Sequence, residues 1–215
     1  MDADPVKLVV FDVGGVLIRC VKGWSAACQR AGVPDILQGL TPAQRRDLSD
    51  LATRFELGRL SADRFAAAVR ARSGYSQRQV YAALEAWFIE PHEGIADLID
   101  RVHRAGVRTA ILTNTNPAHW TTIGEDVDRF GAIRRIQHHF ASHLMGLRKP
   151  QEHVYTHVER SVGVRPQQIL FFDDKEENLH AAAMQWWRTE LINPDRPTAL
   201  QLERYLIRHG ILNGD

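Results

Sequence analysis

Two rhythms of apolar and polar positions divide the chain. From Lys7 to Phe11 a short apolar, β-branched run stops at Asp12, and two glycines follow. A run of that kind, closed by a turn, is the signature of a strand buried on both faces. Between Val21 and Glu90 the apolar residues recur at helical spacing with explicit punctuation, and no strand is expected. The pattern predicts helices over Trp24 to Ala31, stopped by Gly32, and from Thr41-Pro42 to Leu57, stopped by Gly58. Another starts at Ser61 and carries Phe65 and Val69. A fourth runs from the Ser76/Gln79 capping box through Val80, Leu84, Trp87 and Phe88.

After Glu93 strand and helix alternate, which implies a parallel sheet. A helix over Ile95 to Ala105 ends at Gly106, and Val107 to Leu112 is a strand ending in Thr113-Asn114. A loop-rich helical region leads to a short strand over His138 to Ser142. Pro150 opens a helix that stops at Gly163, and Gln168 to Phe172 is a strand running into Asp173-Asp174. A helix over Glu176 to Gln185, a strand near Thr189 to Ile192 and a helix from Pro197 to Arg208 complete the pattern. The predicted fold class is therefore α/β, a doubly wound, mostly parallel sheet with an inserted four-helix cap. The core would comprise residues 1–20 and 91–215, and the cap residues 21–90.

Composition narrows the function classes. With 215 residues, 44% of them hydrophobic, the chain can bury one core carrying an inserted subdomain. A net charge of +1 with mixed signs leaves no electrostatic footprint for nucleic acid or a membrane surface. Apolar runs fall short of the ~20 residues a spanning helix needs. Cys20 and Cys28 fit neither a disulfide framework nor a metal-binding pair, and point to a reducing compartment. The first strand follows the N-terminus closely, leaving no room for a secretory leader. The expectation is a cytoplasmic, soluble protein; the sequence does not set its oligomeric state.

Candidate chemistry sits at four strand ends. Asp12 before glycines reads, by itself, as a capped turn. Thr113-Asn114, Lys149 and Asp173-Asp174 change that reading, because strand C-termini in a parallel sheet share one edge. Clustered carboxylates cannot all ionise comfortably without a cation between them, and hard oxygen ligands suit Mg²⁺. A hydroxyl, a lysine and main-chain N–H groups suit a tetrahedral dianion. Metal, dianion and a free carboxylate together describe phosphoryl transfer through an aspartyl phosphate. His153 and His157 share a helix face, but with no third ligand in register they do not make a zinc site.

FDVGGVLI, LTNTN (Leu112 to Asn116), GLRKP (Gly146 to Pro150) and FFDDKEEN (Phe171 to Asn178) resemble the four ordered motifs of the haloacid dehalogenase (HAD) superfamily. The helical insertion resembles that superfamily's C1-type cap, and the resemblance covers nearly the whole chain. Within the superfamily, the motifs look most like the α-D-glucose-1-phosphatase-like subgroup. The resemblance implies a HAD-like, Rossmannoid core and a Mg²⁺-dependent phosphomonoester hydrolase of a small phosphorylated metabolite such as a sugar phosphate. Asp12 would be the nucleophile and a metal ligand, joined by the Gly14 carbonyl and Asp174, with Asp173 as a supporting or alternative ligand. Thr113 and Lys149 would act on the phosphoryl group, and Val13, Gly14 and Asn114 would contact it alongside them. Asn178 would fix Lys149 or the acidic loop.

One departure matters. Most phosphatases of this superfamily carry a general acid/base aspartate where this chain has Gly14, and proton transfer is worth about 10²–10⁴ in rate. The chain would be a slow enzyme, one preferring better leaving groups such as an anomeric sugar phosphate, or a ligand-binding relative without turnover. The glucose-1-phosphatase-like subgroup lacks the same aspartate, which favours retained activity. Metal-free 2-haloacid dehalogenation uses the same nucleophile, but Gly14 and the Asp173-Asp174 pair weigh against it. Trp186-Trp187 stands where relatives usually have a glycine, which should alter packing before the last strand.

Overall fold

The unbroken apolar character of the first strand has a direct cause: both of its faces are covered. Leu8, Val9, Val10 and Phe11 have no exposed surface. The computed structural model describes residues 4–214; residues 1–3 and 215, the ends of the expected core segments, lie outside them. The chain opens with β1 (Leu8–Phe11) and β2 (Ile18–Cys20), then α1 (Trp24–Ala31), α2 (Pro42–Glu56), α3 (Ala62–Ser73) and α4 (Gln77–Glu85). β3 (Phe88–Pro91) and α5 (Ile95–Arg104) lead into β4 (Arg108–Thr113), α6 (Pro117–Glu125) and α7 (Val127–Arg134). β5 (His138–Ala141), α8 (Ser142–Met145), α9 (Glu152–Val162) and β6 (Ile169–Asp173) follow. α10 (Glu176–Met184), β7 (Arg188–Leu191) and α11 (Thr198–Arg208) close the fold.

Five strands form one parallel sheet in the order β5-β4-β1-β6-β7. Side-chain alternation divides β1 between two cores. Val9 and Phe11 pack with Ile95, Ile99 and Val102 of α5 and Leu202 and Leu206 of α11. Leu8 and Val10 pack on the other face with Val154, Tyr155 and Val158 of α9. The doubly wound α/β class is the one the strand pattern predicts.

The four inserted helices bury a cluster of their own, built on Leu51, Phe55, Phe65, Val69, Val80 and Leu84. Their starts are the predicted ones: Thr41 and Ser76 form complete capping boxes with Gln44 and Gln79, and Ser61 accepts the Arg64 N–H. The structure corrects one expectation here. The helix of Val80 and Leu84 stops at Glu85, and Phe88 belongs instead to β3, which pairs antiparallel with β2. Phe88 leaves the helical pattern because it packs against His119 and Phe130 of the sheet-side core. The two short strands form a ribbon through which the chain enters and leaves the insertion.

Trp186 holds φ +67°, the left-handed value that glycine adopts freely, with its indole largely exposed. The strain seats Trp187 edge-on against Tyr155 and Phe171, where its indole N–H donates to Glu159 at 2.7 Å. The insertion also touches the core tightly. A Cβ on Gly58, at φ +68°, would lie 2.1 Å from the His143 carbonyl oxygen, whereas one on Gly39, at φ +74°, would meet nothing within 4 Å. Gly39→Ala should therefore cost about 1 kcal/mol of backbone strain. Gly58→Ala should cost clearly more, because it must also push the insertion off α8. Thermal melts of the two variants check this, and equal losses would contradict the close approach.

Candidate active site

Sheet geometry brings the predicted strand tips together. β1 and β6 are neighbours in register, Phe11 beside Phe172, so Asp12, the residue after β1, and Asp173, the last of β6, lie side by side at the strand ends. The Asp12 N–H donates to the Phe172 carbonyl at 2.8 Å, continuing the ladder by one residue. Lys149 reaches in from the face of Phe171, its ammonium 5.2 Å from that ring centroid, and lies between the two carboxylates. Its Nζ is 2.8 Å from Asp12 Oδ1 and 2.6 Å from Asp173 Oδ2. The lysine is 1% exposed. Asn114 fixes its backbone from both sides: the Asn114 amide donates to the Lys149 carbonyl and accepts the Lys149 N–H, each at 2.9 Å.

Asp173 and Asp174 differ sharply in what they already hold. Asp173 accepts from Lys149, from the Lys175 N–H at 2.9 Å and from the Asn178 amide at 3.0 Å on both oxygens. That is a positioning role, with Asn178 fixing the acidic residue that fixes Lys149. Asp174 has a buried Oδ1 without a hydrogen-bond partner. Among the described residues Asp12, Asp173 and Asp174 form the group whose carboxylate oxygens come within 4.8 Å of one another. Three carboxylates against one ammonium leave two negative charges uncompensated in a confined space. A hard divalent cation fits that donor set and that charge, and the orphaned Asp174 oxygen would be its open ligand.

Electrostatics agree with the geometry. Burial pushes the Asp12 carboxyl up to about 6 against the pull of Lys149, and Asp173 and Asp174 add to the rise. Burial raises Asp174 as well, with Asp173 adding. Burial opposes the charge on Lys149, but Asp12 and Asp173 outweigh it and hold the ammonium above its ordinary value. A bound cation reverses the carboxylate shifts.

Around this cluster lies a cavity of about 860 Å³ lined by Asp12, Gly14, Thr113, Asn114, Lys149 and Asp174 and, on the far side, by the insertion. Thr113 is buried at the tip of β4 beside the cavity. Val13 sends its side chain into the core cluster, so only its main chain is available to a ligand. Gly15 is the glycine with the left-handed φ, +82°, and a Cβ there would sit 2.7 Å from Asp174 Oδ2.

Sequence reasoning missed three residues of the site. Cys20, weighed only as a redox indicator, lies beside it: a Cβ at Gly14 would be 3.3 Å from its sulfur. Burial, reinforced by Asp12, pushes the Cys20 thiol up to about 12. Ser142 joins the core to the insertion; its hydroxyl accepts the Thr115 N–H and lies 2.6 Å from the Glu56 carbonyl oxygen. His119 lines the cavity as a buried residue, its Nδ1 3.1 Å from the Asn116 amide. Ser142 carries no local sequence signal because its contacts lie 27 and 86 residues away, whereas Cys20 and His119 are placed by burial against other elements that no nearby pattern reveals.

A parallel sheet covered on both faces, with an acidic rim beneath a helical insertion, defines a doubly wound α/β protein with a capped site. The chain belongs to the haloacid dehalogenase-like hydrolases, whose family model matches residues 6–184. A sesquiterpene phosphatase of Aspergillus oryzae, astK, is 25% identical over 186 residues, covering 82% of this chain and 84% of that protein. A HAD family enzyme from Bacteroides thetaiotaomicron superposes with a TM-score of 0.80 at 20% identity, over 93% of this chain and 99% of the other. The same enzyme in complex with magnesium and inorganic phosphate matches with a TM-score of 0.75 at 21% identity, over 89% and 96% of the two chains. A HAD-like family hydrolase from Porphyromonas gingivalis gives 0.72 at 25% identity, over 94% and 98%.

Two predictions follow from the buried charges. Lys149→Met leaves Asp12 and Asp173 facing each other unpaired and should cost about 3–5 kcal/mol at pH 8. At pH 5 the raised Asp12 is largely protonated, so the loss should be smaller; chemical denaturation with equal losses at both pH values would refute the arrangement. His119 behaves in the opposite sense. Burial lowers it from 6.5 to about 4, so the fold favours the neutral ring. Its stabilising contribution is complete above pH 6.5 and is lost as pH falls towards 4, by about 3 kcal/mol. His119→Phe should therefore lose stability less steeply than the parent between pH 6.5 and 4.5, and identical slopes would exclude it.

Proposed function

We propose that the protein is a Mg²⁺-dependent phosphomonoester hydrolase working through an aspartyl phosphate on Asp12. Residues 1–20 and 91–215 would form its core and residues 21–90 its cap. The observation that carries this reading is Asp12, held by Lys149, within a group of three carboxylates that share that one buried ammonium. The family supports hydrolysis, the Aspergillus relative is named a phosphatase, and a structural relative is solved with magnesium and inorganic phosphate.

Asp12, Asp174 and the Gly14 carbonyl would hold the cation, which supplies charge neutralisation at the phosphoryl oxygens and at the nucleophile. An Asp12 oxygen attacks phosphorus, and the bond from phosphorus to the ester oxygen breaks. The departing alkoxide takes up a proton that position 14 cannot supply. Water then attacks the aspartyl phosphate, releasing inorganic phosphate and restoring the Asp12 carboxylate. Thr113 and Lys149 orient the phosphoryl group, and main-chain groups at Val13, Gly14 and Asn114 complete its surroundings. Gly14 slows the first step for alcohols that are poor leaving groups. A sugar as the esterified alcohol rests on motif resemblance and on that leaving-group argument alone.

Asp12→Asn, or removal of divalent cations with EDTA, should lower phosphate release from acetyl phosphate by roughly 10³-fold or more, with Mg²⁺ restoring the EDTA-treated protein. Turnover unchanged in Asp12→Asn would end the proposal.

A further inference from the structure

The rim of charged residues fixes where phosphate would sit, and the opposite half of the cavity bears on what the phosphate is attached to. At about 860 Å³ the cavity is in the range of sites that enclose an organic ligand. Six of its lining rings form one unbroken chain of contacts. Phe55 stacks on Phe65 with centroids 4.4 Å apart, and Phe65 stacks on Trp24 at 5.9 Å. Trp24 meets Trp87 edge-on at 5.6 Å, Trp87 lies 5.5 Å from His119, and His119 lies 4.9 Å from Phe88. Buried and neutral, the His119 ring continues an apolar wall.

Polar side chains on the insertion side are few and already engaged. Apart from two indole N–H groups, the described lining residues between positions 21 and 90 offer only Lys22 and Glu56. Lys22 pairs with Asp195 at 2.9 Å and Glu56 with Arg148 at 3.1 Å, both partners belonging to the opposite wall. A site that selects a sugar needs side-chain hydroxyls or amides to exchange hydrogen bonds with the ring hydroxyls, since a buried hydroxyl without a partner is costly. The insertion supplies none. One aromatic platform can stack on a sugar face, but a continuous wall of rings instead removes apolar surface from water.

We propose that this half of the cavity takes an apolar organic group, so that the substrate is a phosphate monoester of a hydrocarbon-rich alcohol. The proposal rests on the phosphatase reading and departs from the sugar phosphate expected from the sequence. Trp24, Trp87 and Ala52 set the specificity: the two indoles hold the chain or ring, and Ala52, half-buried on α2, lines the same cavity with a small side chain. Transfer of each methylene from water into such a wall is worth about fourfold in affinity.

The full chain with Mg²⁺ would be assayed on acetyl phosphate, hexyl phosphate and glucose 6-phosphate. The last two both release a primary alkoxide, so their difference reports the cavity and not the chemistry. Hexyl phosphate should show a kcat/KM at least about tenfold above that of glucose 6-phosphate. Ala52→Asp places a charge on the apolar wall without emptying the core, and should cut the hexyl-to-glucose ratio about tenfold. Trp87→Ser should cut it as well, and Trp87→Phe should restore much of it. Glucose 6-phosphate equal to or better than hexyl phosphate, or a ratio indifferent to Ala52→Asp and Trp87→Ser, overturns this inference while acetyl phosphate hydrolysis leaves the phosphatase reading standing. Absence of Asp12-dependent acetyl phosphate hydrolysis overturns that reading itself.

Discussion

A buried ammonium held between two carboxylates is the constraint on which the rest of this structure depends. Burying charge is costly unless each group is paired and hydrogen-bonded. The fold meets that condition for Lys149 with unusual completeness: Asp12 and Asp173 on its Nζ, Asn114 on its main chain, Asn178 and Lys175 on Asp173. Asp12, Asn114 and Asp173 come from the ends of three neighbouring strands, β1, β4 and β6, and Lys175 and Asn178 from the turn and helix after β6. Only a parallel sheet whose central strands are buried on both faces delivers them to one edge. The apolar runs of β1 and β6 are thus a precondition of the charged cluster as much as a source of stability.

The same cluster stops short of neutrality, and that deficit is the chemical content of the site. Asp173 is fully satisfied, while Asp174 keeps a buried oxygen without a partner and Asp12 keeps an exposed share. Above them the insertion closes a cavity through contacts that cross the cleft: Glu56 with Arg148, Lys22 with Asp195, and the Glu56 carbonyl with Ser142. Arg148 is the residue before Lys149, so the loop that presents the buried lysine also grips the insertion. The Glu56 contact of the insertion is thus made by the chain neighbour of the lysine that pairs with Asp12.

Much of this was legible in the sequence because the relevant signals are local. A β-branched run ending in Asp12, a second ending in Thr113 and a third ending in Asp173-Asp174 declare both strand and rim residue at once. Capping boxes at Thr41 and Ser76 declare helix starts without reference to the fold. Lys149 was legible as a cation just past the third strand and through its motif, but nothing nearby in the chain shows that its ammonium is buried. The β2–β3 ribbon escaped notice because its strands are short, far apart in sequence and justified by each other. The ring sequence joining Trp24 to Phe65 and Trp87 escaped for the same reason, its members lying far apart in the chain. Periodicity identifies what an element is, and contacts between distant elements decide what it is for.

The central claim is that the acidic rim is a site for one divalent cation, with Asp174 as its open ligand and Asp173 as a positioning residue. Binding of Mn²⁺, followed by the loss of the free-ion EPR signal and by competition with Mg²⁺, tests it most directly. The account predicts one Mn²⁺ per chain, displaced by Mg²⁺ and abolished in Asp174→Ala. Failure of the protein to bind Mn²⁺, or binding that survives Asp174→Ala unchanged, would contradict it.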